Sequence, residues 1–447
     1  MKNLDLSELN KPVKMEDLKK MIFIIYSIII FLLPIIPEVY MSLSLSFKCV
    51  LFISTTLITL LLLGTILLKE KKFNLTIYDK LFIIYIFIVL LSTIFTKFSI
   101  YNSIFGYSGR GEGFLTIFCY VSAAIIFSRG YKYIKKYIFV AIIGAVIVSI
   151  YGIIQANVDI TVILPFNSSH VNEIAEGTMG NQNFLSSYLC IFLPSLCYYF
   201  LNNGEKYMLL FIVPLFAALV YSKTLSGYLV CFFLIIALSI LSIIFSKERK
   251  KQTLRVIALI LVLTSIYILI FLLNGNKYVK EFRQAKNEVS SVIKNDETLG
   301  NGRLAIWKRT LMVIKNNIFL GVGPDNLKLE LFNSEYNLDI NDYYLAKQSF
   351  DKAHSEYLQI GATTGIFSLF IYVYIILNVM FNLLKINIYN IKKNNKEKGF
   401  VMGISIGIIA YLTQALVNIS VVQVAPTFWA MLGIGIGIIE NKKENEE

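Results

Sequence analysis

The sequence predicts an all-α polytopic membrane protein, a bundle of about 12 transmembrane helices with a large external loop between the ninth and the tenth. Three observations predict it. Of 447 residues, 56% are hydrophobic and only 16% are charged, against about 25% charged in an average soluble domain. The apolar residues gather in runs close to the roughly 20 residues that a helical span needs. The Lys and Arg residues are collected in alternate loops between those runs. This composition excludes a soluble enzyme, a disordered tail and a basic nucleic-acid module. The net charge of +13 is therefore first a question of topology.

The apolar runs cover residues 21–37, 48–68, 79–96, 113–128, 137–155, 184–202, 207–222, 226–246, 253–273, 360–384, 399–419 and 424–440. The first run follows a polar segment and has no small-residue cleavage site after it, so it reads as a span and not as a removed signal peptide. Counting from the N-terminus, loops on one side carry Lys2, Lys11, Lys14, Lys19 and Lys20, then Lys69, Lys71, Lys72 and Lys80, then Arg129, Lys132, Lys135 and Lys136. The same side goes on with Lys206, with Lys247, Arg249, Lys250, Lys251 and Arg255, with Lys385, Lys392, Lys393, Lys396 and Lys398, and with Lys442 and Lys443. Short loops on the other side hold Lys97, Arg110 and Lys223. Basic loops stay in the cytoplasm, so both termini are expected there and the number of spans is expected to be even.

The domain plan that follows is a cytoplasmic N-terminal segment 1–20, helices one to nine over 21–273 and an external loop with an amphipathic helix over 274–359. Helices ten to twelve follow over 360–440, with a cytoplasmic tail 441–447. No soluble domain is expected after the twelfth span. The external loop carries many Lys and Arg, but long loops cross regardless of charge, and a loop of this length is usually functional. The five cysteines, Cys49, Cys119, Cys190, Cys197 and Cys231, lie in or at the ends of apolar runs. They are expected to pack as small apolar residues and not to build a disulfide framework.

Polar chemistry concentrates on the external side. In the long loop, Leu304, Trp307, Leu311 and Ile314 recur at i, i+3, i+7 and i+10, an apolar stripe between Gly300 and Gly302 on one side and Gly321-Val-Gly-Pro324 on the other. The helix is expected to lie on the membrane surface or on the bundle with Trp307 at the interface and Arg303 at its N-terminus. Backbone N–H groups and a guanidinium together suit a phosphate there. An ordinary solvated arginine is the alternative.

His354 stands where the tenth span begins, with Asp351 and Glu356 nearby. A group titrating near neutrality at the mouth of a bundle is a candidate general base, or else an interfacial histidine without chemistry. Glu356, two residues on, is poorly spaced to orient the ring on a helix. His170 is the other histidine. Gly106-Tyr-Ser-Gly-Arg-Gly-Glu-Gly-Phe114 places Arg110 and Glu112 among glycines that let a backbone approach a ligand, or that make a flexible turn. Gly177-Thr-Met-Gly-Asn-Gln-Asn-Phe184 opens the sixth span, where Asn181 and Asn183 can cap the helix or bond a polar ligand.

The spans hold almost no Asp, Glu, Lys or Arg, which ion-coupled transport generally needs at mid-membrane. No Walker loop and no Cys/His metal cluster occurs in the sequence. A reaction at the membrane surface is favoured. The alternatives are a transporter or flippase of lipid-linked sugar, and a structural membrane subunit.

Taken together, these segments resemble the O-antigen ligase / O-antigen polymerase superfamily of bacterial membrane glycosyltransferases. The resemblance rests on Gly-Arg-Gly-Glu-Gly at 109–113, Gly-Thr-Met-Gly-Asn-Gln-Asn at 177–183, Gly302-Arg303 with Trp307, and His354-Ser355 followed by Gly365, in this order and topology. One departure is the stretch Ser222-Lys-Thr-Leu-Ser-Gly227, where the family often has Ser-Arg-Gly; Lys223 can supply the charge, without a bidentate fork.

The resemblance implies a GT-C-like bundle and transfer of a glycan from a polyprenyl (undecaprenyl) diphosphate carrier to an acceptor hydroxyl outside the bacterial cell membrane. It implies an inverting, metal-independent glycosyltransferase without a cofactor, acting as ligase or polymerase of surface polysaccharide. His354 would be the base and Arg303 the first contact of the departing diphosphate. Arg110 and Lys223 stand behind it, and Glu112, Asn181, Asn183 and Trp307 belong to substrate binding. The Lys, Ile, Asn and Phe bias points to an AT-rich, Gram-positive source, and so to a cell-wall polymer, a further glycan or a glycoprotein as acceptor.

Overall fold

A computed structural model describes residues 14–38, 46–71, 74–107, 111–158, 174–294, 299–331, 351–393 and 398–444, with the backbone alone over 275–294 and 299–302. Its longer elements are helices: α1 Met15–Leu32, α2 Phe47–Glu70, α3 Ile77–Ile94, α4 Ile100–Phe105, α5 Phe114–Arg129, α6 Tyr131–Ile134, α7 Ile138–Asn157, α8 Gln182–Asn203 and α9 Leu209–Ser222. They continue as α10 Leu225–Ile244, α11 Arg249–Lys294, α12 Leu299–Asn316, α13 Leu327–Leu331, α14 Glu356–Thr364, α15 Ile366–Lys392, α16 Lys398–Gln414 and α17 Ala425–Glu444.

Every predicted apolar run falls mainly on helix, though the helix of the run 399–419 ends at Gln414. Among the described residues, eight helical segments are long and apolar enough to cross a membrane, and α5, the segment through α9, and α16 are shorter apolar helices. Helix starts follow local chemistry. Ser46 caps α2, and Thr76 with Asp79 forms a capping box on α3.

Helices α8 and α17 form the interior. Of the apolar window of α8, 83% is buried, against 22% to 44% in the other seven long spans. In α17, every residue from Ala425 to Ile439 is buried. This helix packs along α5 through Gly433 and Gly437, where an added Cβ would meet Phe127 Cβ at 2.8 Å and Ser128 O at 2.8 Å. Small residues let two backbones approach closely where lipid gives no hydrophobic drive for association. The outer helices instead expose Leu61, Leu210, Phe233 and Leu272, as a lipid-facing surface requires. All five cysteines are buried and unbridged.

Polar contacts sort the two ends of the bundle. At one end, Arg129 pairs with Asp79, Lys19 with Glu70, Lys132 with Glu444 at 2.8 Å, and Tyr133 donates to Glu16 at 3.3 Å. The first and the last helix thus have their chain ends on the same side. At the other end, Lys48 donates to Thr178 O at 2.7 Å, and the segments around 112, 325, 352 and 420 meet.

Two expectations are corrected. The tenth run is not one helix from residue 360; it breaks at Gly365 (φ +86) into α14 and α15. The backbone of 318–320 crosses there: Ile366 N donates to Ile318 O at 2.8 Å, and a Cβ on residue 365 would collide with Phe319 O. The ninth span ends where expected: its backbone is non-helical at Asn274, and a further helical stretch follows to Lys294. On α12 the buried face is Ala305, Ile306, Arg309, Thr310 and Val313, while Leu311 of the expected stripe is 54% exposed. The face is turned because Val313 joins Val322, Leu327, Leu331, Ala353 and Ala362 in a small core of its own.

Candidate functional site

The site is built from three segments that the sequence separates widely. The first precedes α5. Gly106 (φ +91), Gly111 and Gly113 fold this loop onto itself, so closely that a Cβ on Gly113 would lie 2.5 Å from Ile104 O. The glycines therefore serve the loop's own packing, and they deliver Glu112 inward. Arg110 lies outside the described residues, as does His170.

The second segment is Gly321-Val-Gly-Pro324 with Asp325. It does more than end α12. Val322 N and Gly323 N donate to Ala362 O and Thr363 O at 3.0 and 2.9 Å, and Thr96 Oγ1 donates to Val322 O at 2.8 Å. The segment is clasped between α3 and α14. Asp325 (φ +59) is buried, and its carboxylate accepts from Tyr107 N at 2.6 Å, from Glu112 N at 3.2 Å and from the ammonium of Lys352.

The third segment runs from Lys352 to Glu356. Lys352 is 3% exposed and ion-paired to Asp325. Glu356, also buried, accepts hydrogen bonds from Tyr372 Oη at 2.5 Å and Tyr411 Oη at 2.8 Å. Its N–H donates to Ala415 O at 2.9 Å. Between these two fixed residues His354 is half-buried, with φ +49. A left-handed backbone is uncommon for a residue other than glycine.

These segments enclose a cavity of about 580 Å³, its open mouth included, lined by Glu112, Asp325, Lys352, Glu356, Gln359 and Ser420 with the rings of Tyr85, Tyr120 and Trp429. Glu112 accepts from Tyr120 Oη, 3.0 Å from each carboxylate oxygen, and from Val422 N at 2.8 Å. Burial pushes its carboxyl up to about 8, against the pull of Lys352 and with the help of Asp325. Burial also raises Glu356, and the two tyrosine hydroxyls oppose that shift. At neutral pH Glu112 thus holds its proton and can both donate and accept.

Of the other predicted residues that the structure describes, none lines this cavity. Arg303 is half-buried on α12, four residues after Leu299, so it lies in the second turn and not at the helix N-terminus, and Gly300 and Gly302 are helical. Helix α12 packs against α14 and brings Arg303 and His354 onto neighbouring segments. Trp307 is half-buried on the same helix.

Lys223 is the left-handed C-cap of α9 (φ +56), and Gly227 beyond it packs on Ser186 of α8. Asn181 caps α8 by accepting from Asn183 N at 2.8 Å, and the Asn183 carbonyl accepts from Asn418 at 3.0 Å. A buried lysine, Lys48, holds the 177–179 turn through Thr178 O and faces Glu38 at 3.9 Å.

Sequence reasoning missed Asp325, Lys352 and Lys48. For Asp325 one signal was available, its place directly after the Gly321-Val-Gly-Pro324 turn, and for Lys48 its place at the start of an apolar run.

Residues 210–373 match the family model described as O-Antigen ligase. No curated protein matches the chain. The matched stretch contains Lys223, Arg303, Asp325, Lys352 and His354, while Glu112 lies before it. Over that stretch the chain is similar to the O-antigen ligase family, in agreement with the resemblance drawn from its motifs there.

Proposed function

We propose that this glycan-transferring membrane protein of surface polysaccharide biosynthesis moves its glycan from a polyprenyl diphosphate carrier to an acceptor hydroxyl, at the external face of the bacterial cell membrane. In this reading α5, α9, α16 and α17 cross the membrane with the eight longer spans, and both termini are cytoplasmic. The start of α1 and the end of α17 lying at one end of the bundle support that topology.

The observation that carries the reading is the backbone of His354. It is held left-handed (φ +49) between Lys352, fixed by Asp325, and Glu356, fixed by two tyrosines. Strain held by its surroundings clusters at functional positions. His354 takes the proton of the acceptor hydroxyl as that oxygen attacks the anomeric carbon. The bond to the carrier phosphate breaks on the opposite face, so configuration inverts. Arg303 meets the charge of the departing diphosphate, with Arg110 and Lys223 behind it, and protein cations suffice for that role without a metal. Asn181 and Asn183 hold the start of α8 at the same end of the bundle, and Trp307 steadies α12.

The test is transfer by purified protein, supplied with polyprenyl-diphosphate glycan and acceptor. His354→Ala and Arg303→Ala should each lower the rate at least about a hundredfold. Full activity in both variants would remove the site assignment. Transbilayer movement of the lipid without transfer would favour a transporter.

A further inference from the structure

The cavity beside His354 has a chemistry of its own. Among the described residues, three carboxyl groups line it, those of Glu112, Asp325 and Glu356, and one ammonium, Lys352, which is paired with Asp325. An anion entering it would find its cation already engaged and would sit beside those carboxyls, at the cost of burying an unpaired charge. A phosphate is therefore poorly served here. The walls are the rings of Tyr85, Tyr120 and Trp429. Trp429 is 4% exposed, and its indole N–H, closed off from solvent, has no acceptor among the described residues. A buried N–H without an acceptor is costly.

Carboxyls to take hydroxyl protons, an N–H to give one and aromatic faces for C–H surfaces are together what a neutral sugar ring uses. We propose that this cavity receives the hydroxyl-bearing edge of a neutral sugar of the glycan, and that it discriminates against uronic acids and phosphate. The inference rests on the glycan-transfer reading and adds the sugar class to it. Glu112 and Trp429 set that class, and both stand outside the matched 210–373 stretch. The ring can belong to the donor or to the acceptor, since both present the same hydroxyls.

The experiment uses the full chain in lipid nanodiscs. The protein has two tryptophans, so Trp307→Phe leaves Trp429 as the sole reporter. Emission is followed at pH 7 during titration with N-acetylglucosamine, N-acetylgalactosamine, glucose, galactose, glucuronate and inorganic phosphate. At least one neutral sugar should give a saturable change, with glucuronate and phosphate at least about tenfold weaker. Glu112→Leu in the same background should remove the response, and Glu112→Gln, which still donates and accepts, should keep it.

No response to any neutral sugar, or an equal response to glucuronate, would overturn the proposal. That comparison needs no change at the cavity, so it stands even if Glu112→Leu does not fold. Repeating the titration with undecaprenyl-diphosphate-linked N-acetylglucosamine bound identifies the source of the ring. A free-sugar response that disappears assigns the cavity to the donor, and one that persists assigns it to the acceptor. Saturable sugar binding in a protein without transfer would reject the transferase reading while supporting the cavity. Transfer without any Trp429 response would do the reverse.

Discussion

Two polar regions meet at the end of the bundle away from the Arg129–Asp79 and Lys132–Glu444 pairs, and they differ in charge and in exposure. The cavity around Glu112 is recessed, carboxyl-rich and internally paired. Arg303 and His354, on neighbouring segments outside it, are half-buried and not carboxyl-lined. A single site would have to serve hydroxyls and a diphosphate with one electrostatic field. Two adjoining regions separate those tasks: one is suited to a neutral ring, the other to a leaving group with negative charge.

The recessed region is the easier to break. Lys352→Met leaves Asp325 buried without its cation and should destabilise the folded protein by about 3–5 kcal/mol. Thermal unfolding in nanodiscs measures this, and an unchanged midpoint would mean that the pair contributes nothing to the fold.

A second test sharpens the same contrast through pH. The Glu112 carboxyl sits at about 8, above its ordinary 4.5. The stability tied to its proton is full below the ordinary carboxylate range and is lost as pH rises through 8. The groups facing it are Lys352, Asp325 and Tyr120. The wild-type midpoint should therefore fall between pH 5 and pH 9 relative to Glu112→Gln, which lacks this titration. Parallel curves for the two proteins would show that Glu112 is not held protonated.

The smallest expected effect lies outside both regions. Asn181→Ala removes only the α8 cap and should cost about 1 kcal/mol, with transfer intact. A large loss of transfer at unchanged stability would move Asn181 into substrate binding.

The helices were legible because a lipid-facing helix must be apolar along its whole length, so every run falls mainly on helix. The value of Gly365 was legible as a spacing from His354, and its cause is the crossing of 318–320 at a position where no Cβ fits. The pairing of Asp325 with Lys352 was not legible, because it joins loops whose approach is set by the clasp of Val322 and Gly323 on α14. The face of α12 was misread for the same reason. Periodicity names an apolar stripe, but the small core that claimed Val313 decides which side is buried.

The division of charge between the two regions is tested most directly by the binding of undecaprenyl diphosphate, without sugar, to wild type, Arg303→Ala and Glu112→Gln in nanodiscs. The account predicts that Arg303→Ala weakens binding at least about tenfold and that Glu112→Gln binds as wild type does. Loss of binding in Glu112→Gln with full binding in Arg303→Ala would contradict it.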